Sequence, residues 1–293
     1  MNIGVELVLD AKATLGEGAI WDARRGVLYW VDILEGQAHE FNPATGADRF
    51  VEVGQPVGTV VARRGGGLMA AVQGGFARLD LETGELSIVN DPEAGLPDNR
   101  FNDGKCDPAG RFWAGTMSMG EDPAGKGSLY VLEADGRAWR ALAGVTVSNG
   151  IAWSHDHQTM YYIDTARPEV SAFDYDEATG AIANRRTVVT LPPGDGGPDG
   201  MTIDAEGRLW VAHWDGGKVT RWDPTSGRLL ATLPLPVSRV TSCAFGGTGL
   251  DELYITSART GLSEEEIARQ PMAGGLFRAR PGLKGVPAYE YAG

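Results

Sequence analysis

Cysteine and histidine are scarce in this chain of 293 residues, which contains two cysteines and four histidines. It has neither a His-Glu-x-x-His sequence nor a closely spaced cysteine pair, so the usual zinc-site motifs are absent. Cys106 and Cys243 each fall within an apolar stretch that predicts a strand. We therefore expect two free thiols inside the protein rather than a disulfide, with no requirement for an oxidising compartment.

Long apolar runs and basic clusters are also missing. No run approaches the roughly 20 residues that a membrane-spanning helix needs, and residues 1–6 lack the charged and apolar regions of a signal peptide. Lys and Arg number 26 against 39 Asp and Glu, which gives a net charge of −13. Such a field repels phosphate backbones. We therefore expect a cytoplasmic protein that binds neither membranes nor nucleic acid, and whose excess of carboxylates suits the capture of cations.

Glycine, by contrast, is abundant: the chain has 42 glycines and 16 prolines, and 42% of its residues are hydrophobic. Without collagen-like or low-complexity periodicity, this composition favours many short strands joined by turns around a sizeable core. All-β folds of this length often form one domain. We therefore expect a single domain over residues 1–293.

One pattern recurs six times along the chain: a tight turn is followed by an apolar strand, a second turn and a second apolar strand. The six openings are residues 16–21, 57–61, 102–107, 148–153, 197–204 and 241–245. They lie roughly 40 to 50 residues apart, and a four-stranded unit at this period is typical of β-propellers. The sequence therefore predicts an all-β, six-bladed β-propeller with four-stranded antiparallel blades. Either residues 5–9 or residues 287–291 would supply the outer strand that closes the last blade.

Equivalent positions in a propeller repeat form a ring in space, so the residues before the repeated glycine should surround one mouth of the central channel. They are Glu17, Val57, Asp103, Asn149, Asp199 and Ser242. Asp-Gly and Asn-Gly are ordinary turn dipeptides, but glutamate is a poor turn residue, and four of the six positions carry acid or amide oxygens. Such ligands suit a hard or borderline divalent cation. We therefore predict a metal site at this mouth, with coordination positions left for water and substrate.

The second strands should end at the same mouth, where their last residues would form another ring. These residues are Asp32, Val72, Thr116, Asp164, His213 and Ser257. They either hold the ligands in place, line the pocket or simply meet solvent at the strand ends. Arg100 and Asn102 alternate along an extended segment and therefore face the same side. They could hydrogen-bond a polyhydroxylated ligand, although Arg100 could instead pair with an acidic neighbour.

The sequence resembles the regucalcin (senescence marker protein) and gluconolactonase family of sugar lactonases. The likeness runs from end to end, and its most specific segments are residues 15–18, 100–105, 115–117, 148–150, 198–200, 258–259 and 274–275. The resemblance implies a six-bladed propeller with one divalent metal at the channel mouth. It implies Glu17, Asn149 and Asp199 as the metal ligands, and Asp199 also as the general acid/base.

The resemblance also implies substrate-contacting roles for Arg100 and Asn102. It places Asn102, rather than Asp103, at the functional position of the third blade. In the family, a further substrate-contacting glutamate follows the segment that matches residues 115–117. Glu121 is the nearest match here and lies one residue out of register.

Lactone hydrolysis is the reaction that the resemblance implies, from an aldonolactone of the gluconolactone or pentonolactone type to the aldonic acid. The metal would polarise the lactone carbonyl and lower the pKa of a nearby water, while Asp199 would take the water proton and return one to the ring oxygen. Ca²⁺ and Zn²⁺ are the metals we expect first, with Mn²⁺, Mg²⁺ and Fe²⁺ as further candidates. The protein would act on a small-molecule sugar lactone as a monomer or weak homodimer.

Two other functions are consistent with the same residues. A calcium-dependent esterase or phosphotriesterase could use the same metal mouth, although Arg100 and Asn102 argue against an apolar ester. A non-enzymatic, cation-binding propeller would also be consistent with the net charge of −13.

Overall fold

Six four-stranded antiparallel sheets form a ring in the computed structural model, which describes residues 4–293. The strands are β1 (Val5–Leu9), β2 (Gly16–Asp22), β3 (Val27–Asp32), β4 (Gln37–Asn42), β5 (Ala47–Glu52), β6 (Val57–Ala62), β7 (Leu68–Val72), β8 (Gly75–Leu79), β9 (Leu86–Asn90), β10 (Asn99–Cys106), β11 (Phe112–Ser118), β12 (Gly127–Leu132), β13 (Ala138–Val145), β14 (Ser148–Trp153), β15 (Thr159–Asp164), β16 (Glu169–Tyr175), β17 (Ile182–Thr190), β18 (Gly197–Ile203), β19 (Leu209–Trp214), β20 (Lys218–Asp223), β21 (Arg228–Pro234), β22 (Val240–Gly246), β23 (Glu252–Ser257) and β24 (Leu276–Ala279). A short helix, α1 (Glu264–Arg269), lies between β23 and β24. The prediction of a six-bladed β-propeller is therefore confirmed.

The innermost strand of each blade is the first of its strands in the chain, except in the last blade, where β22 is innermost and β1 is the outer strand. The strands β2, β6, β14 and β22 are buried along their whole length, because neighbouring blades cover them on both sides. Outer strands such as β17 are mostly exposed. Cys106 and Cys243 lie in the cores between blades as free thiols, as expected. Within residues 4–293, no helix has the length and apolar character of a membrane span.

The N-terminal strand closes the ring. β1 pairs antiparallel with β24, which places Val5 opposite Ala279 and Leu7 opposite Phe277. The last blade therefore combines β22, β23 and β24 with a strand from the other end of the chain. Of the two candidate closing segments, residues 5–9 supply the outer strand and residues 287–291 do not.

Residues 283–293 close the molecule a second time, at the far end of the channel from the candidate ligands. In this segment, Gly285 N donates to Leu250 O at 2.7 Å and Tyr291 N donates to Ala62 O at 2.9 Å. The segment contacts the turn that follows the inner strand of every blade, through Arg24, Arg64, Gly110, His157, Ala205 and Leu250. A single extended piece of chain therefore ties all six blades together at this end.

Tyr291 should be the main anchor of this C-terminal segment. It is 1% exposed, and its hydroxyl donates to Glu133 O at 2.7 Å. Tyr291→Ala removes a buried aromatic ring, so we expect the free energy of unfolding to fall by about 3–5 kcal/mol. Tyr291→Phe loses one hydrogen bond and should cost about 1 kcal/mol. Urea unfolding of the three proteins measures both values, and a cost below about 1 kcal/mol for Tyr291→Ala would contradict the anchor role.

Candidate metal centre and active site

A β-bulge interrupts the inner strand of every blade near its start. The register against the second strand shifts between Glu17 and Ile20, Val57 and Thr59, Phe101 and Gly104, Ser148 and Ile151, Pro198 and Met201, and Val240 and Cys243. A bulge takes a side chain out of the regular alternation of a strand, and bulges are common beside active sites. Here the bulges surround one mouth of the channel.

The sequence pattern predicted that the residues before the repeated glycines occupy equivalent positions in the blades, and the bulges correct this prediction. Asn149 and Asp199 are each the first residue of a bulge, and the matching residue of the third blade is Asn102. Asp103 is the second bulge residue there, and Glu17 precedes the bulge of the first blade. The same holds in two other blades, where Val57 precedes the bulge and Ser242 is its second residue. The predicted ring was therefore one residue out of register in four blades, because the repeated glycine does not occupy a constant place in the bulges.

The structure brings the three candidate metal ligands together. The carboxyl groups of Glu17 and Asp199 lie close enough at the mouth that each affects the pKa of the other. Asn149 is linked to the same blade as Asp199 through Thr165, whose hydroxyl contacts Asn149 Nδ2 and Pro198 O at 2.7 Å each. All three candidate ligands are buried, with 3–4% of their surface exposed.

Thr165 fixes the orientation of the Asn149 amide. A threonine hydroxyl has one hydrogen to donate. That of Thr165 goes to Pro198 O, so the hydroxyl oxygen must accept the N–H of Asn149. The amide oxygen therefore points away from Thr165 and accepts a hydrogen bond from Asn102 Nδ2 at 3.2 Å. In this orientation Asn149 offers an oxygen to the mouth, as a ligand of a hard cation must.

Three carboxyl groups are buried at this mouth with little to neutralise them. Burial, together with Asp103, raises the pKa of Glu17 to about 8. Burial and the neighbouring Glu17 and Asp103 raise the pKa of Asp199 well above its usual range, and burial also raises the pKa of Asp103. Among residues 4–293, Asp199 Oδ1 and Asp103 Oδ2 have no hydrogen-bond partner. A divalent cation would supply the missing charge and contacts, so these residues fit the metal that the sequence predicts.

Carboxylates alone do not make up this site. Within the described part of the chain, no group of three or more His, Cys, Asp and Glu side chains is arranged to hold a metal ion. The candidate set of Glu17, Asn149 and Asp199 instead combines two carboxylates with an amide. All its donor atoms are oxygens, which is the chemistry that Ca²⁺ prefers.

Arg100 and Asn102 are buried beside the acids and hydrogen-bond each other. Arg100 Nη1 donates to Asn102 Oδ1 at 2.7 Å and to Phe101 O at 2.9 Å. Burial lowers the pKa of Arg100 to about 10, and the charges of Glu17 and Asp199 oppose that shift. The guanidinium therefore lies in the field of the acids while part of its donor capacity is used within the chain. Contact of Arg100 and Asn102 with a substrate stays a prediction.

Glu121 lies outside this hydrogen-bonded group. It is exposed in the loop between β11 and β12. It lines a cleft together with residues 95–99, Ser118, Asp122 and Lys126. Its predicted contact with a substrate stays a prediction.

Sequence reasoning missed two residues that support the site, Thr165 and Glu93. Glu93 is 9% exposed and accepts hydrogen bonds from Asn99 Nδ2, Thr116 Oγ1 and Tyr130 OH at 3.0–3.1 Å. These bonds fix the loop that precedes β10, the strand of the third-blade bulge. Neither residue occupies a repeated position, so only its neighbours in space reveal its role.

Two aspartates at the ends of second strands hold the inner strands in place. Asp32 accepts the backbone N–H groups of residues 14 and 15 at 2.7 and 3.0 Å. Asp164 accepts those of residues 146 and 147 at 3.2 and 2.9 Å. Each pair of N–H groups precedes an inner strand that carries a candidate ligand. His213, in the same predicted ring, likewise contacts the backbone before an inner strand, at Asp195 O two residues before β18, and its other ring nitrogen contacts Thr220.

Comparison with known proteins identifies the family. A family model described as the SMP-30/Gluconolactonase/LRE-like region matches residues 15–259. The chain belongs to this family. The matched region contains Glu17, Asn149 and Asp199, together with the inner strands that carry them.

Relatives resemble this family member over its full length. Regucalcin of Oryctolagus cuniculus is 43% identical, across 100% of this chain and 99% of that protein. The structure of a luciferin-regenerating enzyme has 34% identity and a TM-score of 0.93, with 99% of each chain covered. The structure of regucalcin from Agrobacterium tumefaciens, described as a calcium-binding protein, has 30% identity and a TM-score of 0.93, with 99% of this chain and 97% of that chain covered. The resemblance noted in the sequence is confirmed.

Thr165 should act as a positioning residue for Asn149. Thr165→Val keeps the side-chain shape but removes the hydroxyl. The Asn149 amide can then rotate, so that its oxygen no longer faces the channel mouth. We expect the affinity for Ca²⁺ to fall by about 10- to 100-fold, and Thr165→Ser to restore most of it. Isothermal titration calorimetry measures the affinities, and thermal unfolding checks that each variant folds. Equal affinity in all three proteins would show that Thr165 does not position the ligand.

Proposed function

We propose that this protein is a metal-dependent sugar lactonase, which hydrolyses an aldonolactone of the gluconolactone or pentonolactone type to the aldonic acid. The observation that carries the proposal is the buried Glu17–Asp199 pair beside the oriented amide of Asn149. Membership of the SMP-30/gluconolactonase/LRE-like family supports the reaction class. The description of the Agrobacterium tumefaciens relative as calcium-binding supports Ca²⁺ as the ion, with Zn²⁺ as the next candidate.

Glu17, Asn149 and Asp199 would hold the divalent ion through their side-chain oxygens. When bound, such an ion polarises a carbonyl group and lowers the pKa of a neighbouring water. The acids would then be ionised, because a cation beside them offsets both their burial and their mutual repulsion.

Asp199 is the residue that we assign to proton transfer. Among the described residues its Oδ1 is buried without a hydrogen-bond partner, so this oxygen is free to accept a proton. In the reaction, the oxygen of water forms a bond to the lactone carbonyl carbon, and the bond between that carbon and the ring oxygen breaks. Asp199 would take a proton from the water and return one to the ring oxygen, which leaves as a hydroxyl group.

Arg100 and Asn102 would contact the hydroxyl groups of the sugar. Arg100 Nε is buried without a hydrogen-bond partner in the part of the chain that the structure describes, so the guanidinium keeps donor capacity. Glu121 would add a contact from the loop between β11 and β12. Polar groups of this kind favour a polyhydroxylated substrate over an apolar ester or phosphotriester, which need few hydrogen bonds.

Chelation tests the requirement for a metal. Hydrolysis of gluconolactone, galactonolactone, arabinonolactone and xylonolactone is followed with a pH indicator before and after EDTA treatment. We expect turnover of at least one lactone, loss of most of that activity after chelation, and recovery with Ca²⁺ or Zn²⁺. Aryl esters and phosphotriesters serve as comparison substrates. Activity that resists EDTA, or a higher kcat/KM for these comparison substrates than for every lactone, would contradict the proposal.

The variant Asp199→Asn separates catalysis from metal binding. An amide keeps an oxygen ligand but cannot accept the proton, so we expect Ca²⁺ binding to persist while kcat falls by about 10²–10⁴-fold. Asp251→Asn removes an exposed carboxylate from the turn between β22 and β23 and is the matched control, with kcat unchanged. An unaltered kcat in Asp199→Asn would exclude Asp199 as the acid/base. Calcium binding without turnover of any lactone by the unmodified protein would instead identify a cation-binding propeller.

A further inference from the structure

A cavity of about 380 Å³ occupies the end of the central channel opposite to the candidate metal site. Its walls are the distal halves of the inner strands of five blades, and most of the lining side chains are apolar. They include Ile20, Trp21, Ile151, Trp153, Ile203 and Phe245. A volume of about 300–1,000 Å³, with apolar walls and a few polar groups, is typical of small-molecule sites.

Lys105 and His155 are the basic residues that line this cavity, which we call the lower cavity. Lys105 lines it from β10, and its ammonium group donates a hydrogen bond to Met201 O. An ammonium group has three N–H donors, so two of them stay available. His155 lines the cavity from the turn after β14 and is exposed there. The chain has 39 acidic residues, yet among the described residues no Asp or Glu lines this cavity.

The C-terminal segment covers the lower cavity with residues 286–289. The cover is anchored on both sides, by Gly285 N to Leu250 O and by Tyr291 N to Ala62 O. Between these anchors, residues 286–290 form no backbone hydrogen bond to any other described residue. A second, smaller cavity of about 190 Å³ also has residues 287–290 in its wall. Residues 286–290 are instead held by side chains, through Tyr289 to His157 and Glu290 to Arg24.

We propose that the lower cavity is a second ligand site, which binds a small apolar monocarboxylate. The carboxylate would accept hydrogen bonds from Lys105, and the hydrocarbon body would fill the apolar walls beneath residues 286–289. An anion suits this site because the partly buried ammonium of Lys105, which has one carbonyl as its hydrogen-bond partner, gains a charge-assisted hydrogen bond. An apolar body suits it because the walls offer few other polar groups. The site lies at the other end of the channel from the metal ligands, so the inference does not depend on the proposed lactonase function.

Octanoate is the probe that tests this inference, with octan-1-ol as its uncharged counterpart. Isothermal titration calorimetry on the full chain measures the affinity of both ligands. We expect one octanoate to bind per chain, at least 10-fold more tightly than octan-1-ol. The affinity should be the same in EDTA and in excess Ca²⁺. Absence of binding at millimolar octanoate, or binding that disappears in EDTA and so reports coordination to a metal, would overturn the proposal.

Variants of the cavity locate the bound octanoate. Lys105→Met should weaken the binding of octanoate at least 10-fold and leave the binding of octan-1-ol unchanged. Lys126→Met removes an exposed lysine at the opposite face and should change the affinity for neither ligand. Ala288→Asp adds a negative charge to the exposed cover. It tests, without altering the core, whether the octanoate carboxylate lies in the lower cavity. It should also weaken octanoate, while Ala124→Asp, an exposed change at the opposite face, should not. Octanoate binding that is insensitive to both Lys105→Met and Ala288→Asp would show that the ligand lies elsewhere.

Discussion

The burial of like charges at one mouth of the channel is the constraint on which the rest of this structure depends. Glu17, Asp103 and Asp199 belong to the first, third and fifth blades, so they meet only because the ring is closed. Each is 3–4% exposed, and each has a pKa raised by burial. Buried acids are stable as neutral groups or beside a cation. Binding of the proposed cation would therefore change the charge state of this mouth.

The architecture holds these acids together against their repulsion. β1 closes the ring at its outer edge, and residues 283–293 join all six blades at the far end of the channel. Near the mouth, Asp32 and Asp164 bind the backbone just before the strands of Glu17 and Asn149. Rigid support of this kind keeps metal ligands close to their binding geometry before the ion is present.

The two ends of the channel have opposite chemical character. One mouth is lined by buried acids and amides, whereas the other end holds an apolar cavity that Lys105 lines and that no described Asp or Glu lines. Lys105 lies between them: it lines the lower cavity, and its charge opposes the rise in the pKa of Asp103.

The sequence by itself determined the number of blades, the buried inner strands and the candidate ligands, because repeats and apolar strands are local patterns. It did not determine the bulges, so Asp103 was placed in the ring position that Asn102 occupies. It also did not reveal Thr165, Glu93 or the C-terminal cover, and it left two segments as candidates to close the ring. Only the tertiary structure decided these features. They depend on contacts between distant residues, and a shift of one residue in strand pairing changes which side chain faces the channel.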